Sequence, residues 1–400
     1  MNRIRTLRNP IRHYAWGSHT ALAEWTGRPS PSQAPEAELW LGAHPSAPSR
    51  VEAGQDENDA VRLDDWIGRE PKTSLGEPVA STYDDALPFL FKVLAPAHAL
   101  SIQTHPDAAR AYAGFARENA AGLPIDHPER SYRDPKPKPE LICALTRFSA
   151  LCGFRERRAV AADLQALELA ELKPVAQQVE TRGSAAGLGH LLGLEPEAQR
   201  GAVRAALERL GSSHDDDPKS ELVHRLNIDH PEDIGVLSPY FLHAVELEAG
   251  EALYLKAGLV HAYLEGLGIE IMGNSDNTLR GGLTARHVDV PEFLDALDPA
   301  EHRPEKLLPT GRDHRFQRYR TSERAFSLSR FAFQPGRKTE PPRSRGPEIW
   351  LCTAGRITIH REDGSRPLDL ARGQSAWIPA AAPAFRAEGD GVVHTASVPD

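Results

Sequence analysis

Two widely separated segments of this chain carry side chains that could bind a metal ion. In the later segment, Gly250 precedes five residues of strand character, a tight turn around Gly258 and two apolar residues that lead to His261. A tight turn favours glycine, and short apolar runs on both sides of such a turn are typical of paired strands. The pattern therefore predicts a strand, a turn and a second strand that delivers one imidazole.

The earlier segment places two polar side chains on one face of a strand. Gln103 and His105 alternate with Ile102 and Thr104. Because successive side chains of a strand point to opposite faces, the amide and the imidazole point the same way, and Ile102 and Thr104 point the other way. Gln103 and His105 are therefore candidates for two ligands of one ion.

A carboxylate completes the candidate set. Glu140 follows Pro137 and Pro139 and begins an apolar run over residues 141–145. The prolines block a helix and hold the approach to Glu140 extended. A single histidine among 17 is more often a core or surface residue than a ligand, so the combination carries the argument. Two imidazoles, a carboxylate and an amide oxygen suit a borderline divalent ion, zinc first, with manganese, iron or cobalt as alternatives.

The elements that must position these residues are mostly strands. Proline and glycine break the first 155 residues into short extended runs, such as residues 38–41 and 89–94. Strand character returns over residues 240–261. Further strands are predicted near residues 326–333, 348–352 and 356–361.

Helical spacing separates the two groups of candidate ligands. Apolar residues recur with helical periodicity over residues 197–210, after Pro196 and before Gly211. Residues 212–218 then form a polar, acidic run that predicts a solvated loop. Because candidate ligands lie on both sides of this segment, it indicates a helical insertion within one catalytic domain.

The last hundred residues contain an echo of the later segment. Gly373, five residues, a Pro-Ala-Ala turn and two further residues lead to Ala384, with the same spacing that leads from Gly250 to His261. Alanine now occupies the position of the imidazole. The echo predicts a second β domain that keeps the turn and lacks metal ligands.

Composition limits the class of protein. A chain of 400 residues with 40% hydrophobic and 26% charged residues predicts two or three globular domains, and the net charge of -9 argues against a nucleic-acid partner. The sequence has neither the apolar core of a signal peptide near its start nor an apolar stretch of about 18 residues that could span a membrane. Cys143, Cys152 and Cys352 lack metal spacing and predict buried, reduced thiols of a cytoplasmic protein.

Six segments resemble the type I mannose-6-phosphate isomerases, also called phosphomannose isomerases. They are residues 13–18 (HYAWGS), 37–45 (AELWLGAHP), 87–94 (LPFLFKVL), 101–106 (SIQTHP), 134–140 (DPKPKPE) and 269–284 (IEIMGNSDNTLRGGLT). The resemblance implies a mainly β fold with two cupin or jelly-roll barrels, the second without metal ligands, and an α-helical insertion domain. We expect a catalytic barrel of residues 1–155 and 232–300, a helical insertion of residues 156–231 and a metal-free C-terminal barrel of residues 301–400.

The resemblance also implies the roles of individual residues. It implies one zinc ion per chain, bound by Gln103, His105, Glu140 and His261, with Arg280, Lys138 and Glu270 as catalytic residues and Lys92, Ser101 and Asp276 as substrate-binding residues. This chain departs from the usual metal motif of cupin barrels at Lys256, where proline is common, and from the isomerase family at Pro137, where bacterial relatives often carry histidine.

The implied activity is the interconversion of D-mannose 6-phosphate and D-fructose 6-phosphate by proton transfer between C1 and C2 through a cis-enediol. Such a reaction needs a cation that polarises the carbonyl and a general base, for which both Lys138 and Glu270 are candidates. Arg280 offers a planar fork for the phosphate or for the developing enediolate. A salt bridge from Arg280 to Asp276 would be ordinary on a helix, but the flanking Asn and Gly residues predict a loop.

Two other functions are compatible with the same residues. A metal-dependent cupin oxygenase would need a redox metal with open coordination positions. A non-catalytic sugar-phosphate-binding cupin would be expected to lose Arg280 or Lys138, and both are present. For the isomerase we expect a small sugar phosphate as partner, no nucleic acid, no membrane, a monomeric state and a place in mannose metabolism and GDP-mannose biosynthesis.

Overall fold

The computed structural model of the chain describes residues 2–52, 60–211, 217–301, 303–362 and 364–399. Within these ranges the protein consists mainly of antiparallel strands, and a group of helices lies between residues 157 and 229. This confirms the predicted mainly β fold. Residues 212–216 of the predicted acidic loop lie outside the described ranges.

The strands are short, as expected from the many Pro and Gly residues that interrupt them. In chain order they are β1 (Arg5–Arg8), β2 (Ile11–Arg12), β3 (Glu38–Gly42), β4 (Arg50–Glu52), β5 (Ala60–Arg62), β6 (Phe89–Leu94), β7 (Ile102–Thr104), β8 (Glu140–Ala144), β9 (Phe148–Phe154), β10 (Leu242–Leu247), β11 (Ala252–Leu255), β12 (His261–Glu265), β13 (Gly268–Gly273), β14 (Leu279–Gly282), β15 (Lys306–Leu307), β16 (Thr310–Asp313), β17 (Phe316–Tyr319), β18 (Ser327–Phe333), β19 (Glu348–Arg361), β20 (Leu368–Ala371), β21 (Ser375–Ile378) and β22 (Phe385–Ser397).

The helices are α1 (Ala21–Trp25), α2 (Leu63–Arg69), α3 (Pro71–Leu75), α4 (Glu77–Thr82), α5 (Ala108–Ala120), α6 (Arg157–Ala166), α7 (Lys173–Arg182), α8 (Ser184–Leu192), α9 (Pro196–Leu210), α10 (Pro218–Asp229) and α11 (Val290–Asp295). Short 3₁₀ turns cover Ala170–Leu172 and Ile234–Tyr240. In the part of the chain that the structure describes, no helix combines the length and the apolar character needed to span a bilayer.

Two sheets pack against each other and enclose the candidate site. One has the strand order β15-β11-β8-β13-β6-β3-β2 and the other the order β10-β9-β12-β7-β14. Buried side chains from both sheets, including Ile142, Leu253, Phe148 and Val245, form one apolar cluster. Face-to-face packing of antiparallel sheets around such a cluster is typical of the jelly-roll arrangement of a cupin.

Strand β8 explains how a carboxylate comes to lie deep in the protein. All of its residues, Glu140–Ala144, are buried. Ile142 belongs to the cluster with Phe148 and Leu253, whereas Leu141 and Cys143 belong to a second cluster that includes side chains of the C-terminal sheet. Because both faces of this strand are covered, its sequence is a continuous apolar run, and Glu140 is the charged residue at its start.

The helix that the periodicity predicts is present. Helix α9 begins at Pro196 and ends at Leu210, and Gly211 follows with a φ of +65°. A positive φ favours glycine, so this residue terminates the helix. The buried positions Val203, Ala206 and Leu210 pack in a large cluster that also contains residues of β9 and β14. Helix α9 therefore packs against strands that precede it and strands that follow it in the sequence.

The C-terminal strands form a sheet that also includes three strands from the N-terminal part of the chain. Its order is β16-β17-β18-β22-β19-β21-β1-β4-β5, with β20 paired to β19. Arg5 of β1 pairs with Trp377 of β21. The sequence did not predict this pairing, because its two strands are separated by most of the chain. The echo itself has the expected form: Gly373 has a φ of +86°, and Ala384 directly precedes β22.

Candidate metal centre

Three of the predicted ligands converge between the two sheets. Ligating atoms of His105, Glu140 and His261 all lie within 4.8 Å of one another, and all three side chains are buried. His105 Nε2 is 3.2 Å from Glu140 Oε1, and His261 Nε2 is 3.4 Å from Glu140 Oε2. Among the described residues, this is the one group of three or more His, Cys, Asp or Glu side chains that could hold a metal ion.

Backbone carbonyls orient both imidazoles. His105 Nδ1 lies 2.8 Å from the carbonyl oxygen of Asn277, and His261 Nδ1 lies 3.0 Å from that of Leu259. A carbonyl oxygen only accepts hydrogen bonds, so each Nδ1 carries the proton and each Nε2 presents a lone pair. This is the usual way in which the tautomer of a metal-binding histidine is set.

The resulting cluster consists of hydrogen-bond acceptors whose lone pairs face each other. Burial lowers the pKa of His105 to about 4 even though Glu140 acts to raise it, so the imidazole is neutral at physiological pH. His105 Nε2 and Glu140 Oε2 are buried without a hydrogen-bond partner. Buried acceptors that face one another are unfavourable unless a cation lies between them. Two imidazoles and a carboxylate fit zinc.

Gln103 lies next to the cluster. It pairs with His261 across strands β7 and β12, and its Nε2 is 3.2 Å from His261 Nε2. In this orientation the amide donates to the lone pair of the imidazole. Half a turn of the amide group places Oε1 in the same position, since the two orientations have nearly the same shape. Gln103 therefore has the position, and after rotation the donor atom, of a fourth ligand.

The predicted glycine turn ties two ligand segments together. Gly258 has a φ of +84°, and its N–H donates to the carbonyl oxygen of His105 at 2.9 Å. A Cβ at this position would lie 3.0 Å from the backbone nitrogen of Asp298, so glycine is required both by φ and by space. Lys256, which stands where cupin motifs usually have proline, forms an ion pair with Asp298 at 2.8 Å.

Lys138 lies at the edge of the metal cluster. Its Nζ is 3.2 Å from Glu140 Oε1 and donates to Thr278 Oγ1 at 3.2 Å. The side chain is almost fully buried but lines the central cavity. Against the opposing effect of burial, its charge acts, together with His105, to lower the pKa of Glu140, and its side chain faces the cavity.

Glu270 lies in β13, with a partner on each oxygen. Tyr263 donates to Oε1 at 2.7 Å, and Lys92 Nζ lies 3.1 Å from Oε2. Burial, followed by the charge of Glu140, raises the pKa of Glu270, although Lys92 acts to lower it. For Lys92, burial acts to lower the pKa, but Glu38 and Glu270 outweigh it and raise the pKa well above its usual value. The site thus combines a proton-accepting carboxylate with a permanently charged lysine.

Arg280 does not lie in a loop, as the flanking residues predicted, but in strand β14, where it pairs with Gln103 of β7. The salt bridge to Asp276 that was considered from the sequence is also absent among the described residues, where Asp276 Oδ1 instead lies 3.5 Å from His44 Nε2. Burial, followed by the charges of Arg286 and Arg133, lowers the pKa of Arg280 to about 10. Arg280 therefore belongs to a cluster of cations.

A single cavity of about 1000 Å³ brings most of the predicted site together. It is lined by the predicted residues Lys92, Ser101, Gln103, Lys138, Glu140, Glu270, Asp276 and Arg280. His105 and His261 are not part of this lining, but both lie next to Glu140, which is. The cavity thus joins the metal cluster to the predicted catalytic and substrate-binding residues.

Sequence reasoning missed several residues of the cavity wall. Among them are Glu38, Arg133, Tyr263 and Arg286. Tyr263 could have been found, because it lies two residues after His261 in the same strand and therefore on the same face. Arg133 and Arg286 lie outside regular elements, among 47 Lys and Arg residues, and carry no local signal.

Comparison with known proteins identifies similar sequences. Residues 4–157 match the family described as phosphomannose isomerase type I, catalytic domain. The mannose-6-phosphate isomerase of Escherichia coli (strain K12) is 38% identical over 383 residues, which cover 94% of this chain and 95% of the relative. That of Salmonella typhimurium is 36% identical over 397 residues, which cover 97% of this chain and 98% of the relative.

Solved structures are similar over the whole chain. A zinc-bound holo structure of a mannose 6-phosphate isomerase has a TM-score of 0.89 at 33% identity, covering 99% of this chain and 100% of that one. A Salmonella typhimurium mannose 6-phosphate isomerase bound to its substrate, fructose 6-phosphate, and to zinc also has a TM-score of 0.89, at 34% identity and with the same coverage.

Proposed function

Since this chain belongs to the type I phosphomannose isomerase family, we propose how its own residues carry out the interconversion of D-mannose 6-phosphate and D-fructose 6-phosphate. The chain is an aldose-ketose isomerase with one zinc site, which contains His105, Glu140 and His261. The observation that carries the proposal is that Glu140 of this cluster lines a cavity that also exposes Lys138 and Glu270. We assign Gln103 as the fourth ligand because it lies beside His261.

When bound, zinc supplies electrostatic stabilisation for sugar oxygens that become negative during the reaction. Glu270 is the general base in our proposal. Its raised pKa suits a base that works near neutral pH, and Tyr263 and Lys92 fix its orientation while leaving further lone pairs on both oxygens. Glu270 removes the proton from C2 of mannose 6-phosphate, which gives the cis-enediol, and returns it to C1 to form fructose 6-phosphate.

The same conversion moves a proton between the two oxygens, because O1 gains a hydrogen and O2 loses one. Lys138 is placed for this step. Its Nζ lies 3.2 Å from Glu140 and from Thr278, at the junction of the metal cluster and the cavity. The ammonium donates a proton to O1 and takes one from O2, so that both Lys138 and Glu270 end each cycle in their starting state.

The cation cluster suits the phosphate. Arg133, Arg280 and Arg286 line the cavity together, and no ion pair to a carboxylate holds Arg280 among the described residues. We assign the phosphate to Arg133 and Arg286. Arg280 lies directly opposite Gln103, one strand away from the metal cluster, and we assign it to the developing charge of the enediolate. Ser101 and Asp276 line the same cavity and are assigned to the sugar hydroxyls.

A coupled assay tests the proposal directly. The zinc-loaded protein is expected to form fructose 6-phosphate from mannose 6-phosphate, to lose this activity on chelation and to regain it when zinc is added back. In deuterium oxide, solvent deuterium should appear at C1 of the product. The reason is that, in a fraction of turnovers, the proton held by the base exchanges with water before it is returned to the sugar. A zinc-loaded protein that forms no fructose 6-phosphate would overturn the assigned activity, and product without any deuterium would argue against Glu270 as an exchanging base.

We also propose the organisation of the whole chain. We assign residues 1–155 and 232–300 to the catalytic barrel, 156–231 to the helical insertion and 301–400 to a C-terminal barrel without metal, with β1, β4 and β5 contributed to its sheet by the N-terminal region. The cysteines are free and buried, and burial raises the pKa of Cys143 and of Cys152 to about 12. Unreactive thiols support a cytoplasmic location. A monomer is the expected state, and light scattering would test it.

A further inference from the structure

The loop of residues 121–139 must be held in place by contacts with the rest of the protein. It connects α5 to β8 and contains no helix or strand, yet it carries Arg133 and Lys138 and leads directly into Glu140. Loops of this length without secondary structure are uncommon in compact domains and are usually functional. Charged side chains act in catalysis only if their backbone is held in place, so the contacts of this loop determine where Arg133 and Lys138 point.

Asn277 provides the densest set of these contacts. It is fully buried in the turn between β13 and β14. Its Oδ1 accepts the N–H groups of Arg133 at 2.8 Å and Asp134 at 3.3 Å. Its Nδ2 donates to the carbonyl oxygens of Asp134 at 2.7 Å and Lys136 at 2.9 Å. Both donors and both acceptor positions of the amide are therefore used by one short stretch of loop backbone.

The same residue contacts the metal cluster through its backbone. The carbonyl oxygen of Asn277 accepts from His105 Nδ1 at 2.8 Å and so aims Nε2 of that imidazole at Glu140. The next residue, Thr278, contacts Lys138 Nζ at 3.2 Å. One turn thus touches a metal ligand, a catalytic lysine and the backbone that carries Arg133.

We infer that Asn277 is a positioning residue that fastens the loop of Arg133 and Lys138 to the metal cluster through its side-chain amide. The inference rests on the proposed function, since it assigns Arg133 and Lys138 their tasks. Asn277 does not line the cavity, and its side chain acts through the loop alone. This side chain determines where the two cations lie relative to His105, whose Nδ1 donates to the backbone carbonyl of Asn277.

This separation between side chain and backbone makes the inference testable. Asn277→Ala removes all side-chain contacts to the loop and keeps the carbonyl that orients His105. We expect zinc content to remain at that of the unmodified protein. We expect kcat/KM for mannose 6-phosphate to fall by about 10²-fold, with kcat lowered through Lys138 and KM raised through Arg133. Hydrogen exchange should become faster at the N–H groups of Arg133 and Asp134.

Asn277→Asp tests the acceptor and the donors of the Asn277 amide separately. The carboxylate keeps an oxygen that can accept from the N–H of Arg133, but it loses both donors to the carbonyls of Asp134 and Lys136. We expect KM to stay closer to that of the unmodified protein and kcat to remain low. A matched control is Asn274→Ala in the same turn, because the Asn274 amide donates to Leu87 and not to the loop. It should leave kcat, KM and loop exchange unchanged.

Three results would overturn the inference. They are unchanged kinetics and exchange in Asn277→Ala, loss of zinc from a folded Asn277→Ala protein, and equal effects of Asn274→Ala and Asn277→Ala. If the alanine variant does not fold, hydrogen exchange of the unmodified protein tests the inference instead. Fast exchange at Arg133 and Asp134 would show that the Asn277 side chain does not hold this loop in place. Zinc content and exchange do not depend on the assigned substrate, so a failure of the proposed function would be recognised separately in the assay of the unmodified protein.

Discussion

Lys92 and Glu270 face each other as a register pair of strands β6 and β13, with Lys92 Nζ 3.1 Å from Glu270 Oε2 and both side chains buried. Glu38 approaches the same ammonium from β3, at 3.5 Å. The lysine is thus enclosed between two carboxylates in the sheet that forms one wall of the site. An ionised lysine in such a place is stable only because both carboxylates compensate for its loss of water.

Replacement of Lys92 by methionine should affect both stability and pH dependence. It leaves two buried carboxylates without their cation, and the loss of one partner of a buried pair typically lowers the free energy of unfolding by about 3–5 kcal/mol. Lys92 acts to lower the pKa of Glu270, so its removal raises that pKa further. The low-pH limb of kcat/KM should therefore move to higher pH, because the base stays protonated longer. A pH-rate profile with thermal denaturation measures both effects.

Lys72→Met is the matched control for that substitution. Lys72 forms an ion pair with Glu77 at 3.0 Å, but both side chains are largely exposed. Exposed pairs contribute little to stability. The control should leave the unfolding transition and the pH-rate profile unchanged. If Lys92→Met gave the same pH profile as this control, Glu270 would not be the base whose ionisation limits the reaction.

The metal ligands can be tested one at a time. His105→Ala and His261→Ala should each abolish bound zinc and activity, while circular dichroism shows a folded protein, because the apolar cluster between the sheets is untouched. His360→Ala is a suitable control, since this histidine pairs with Glu388 in the C-terminal sheet. Full zinc in either ligand variant, measured by elemental analysis, would remove that residue from the ligand set.

The C-terminal sheet should bind no zinc of its own, because Ala384 occupies the ligand position of the echo. Deleting this region is a poor test: Tyr319 contacts Cys143 of β8 at 3.1 Å, and the N-terminal strand β1 pairs with β21. We predict instead one zinc per unmodified chain and none in the double variant His105→Ala, His261→Ala. A double variant that retains zinc would reveal another site.

Two arginines of the cavity, Arg280 and Arg286, should differ in their kinetic effects. Arg280→Lys keeps the charge and loses the planar fork, so it should lower kcat and kcat/KM by similar factors if Arg280 acts in the transition state. Arg286→Ala should instead raise KM, because it removes a cation assigned to the phosphate. Steady-state kinetics at confirmed zinc content compare the two. A raised KM with unchanged kcat in Arg280→Lys would assign that residue to the phosphate as well.

Local patterns account for what could be predicted. The shared direction of Gln103 and His105, the turn at Gly258 and the helix that stops at Gly211 depend on residues close in sequence, and alternation, glycine conformation and helical periodicity act over that range. The prediction that Arg280 lies in a loop was wrong for the same reason. Glycine and asparagine favour turns locally, but pairing with β7 makes residues 279–282 a strand.

The sequence by itself thus determined the residue types and spacing of the His105, Glu140 and His261 cluster, the mainly β architecture with some helices, and the family. Only the tertiary structure decided which cations surround Arg280, that Lys92 lies between Glu38 and Glu270, and that Asn277 joins the loop of Lys138 to His105. The physical reason is distance along the chain. These contacts join segments that meet only when the sheets pack, and no local preference of the backbone encodes such partners.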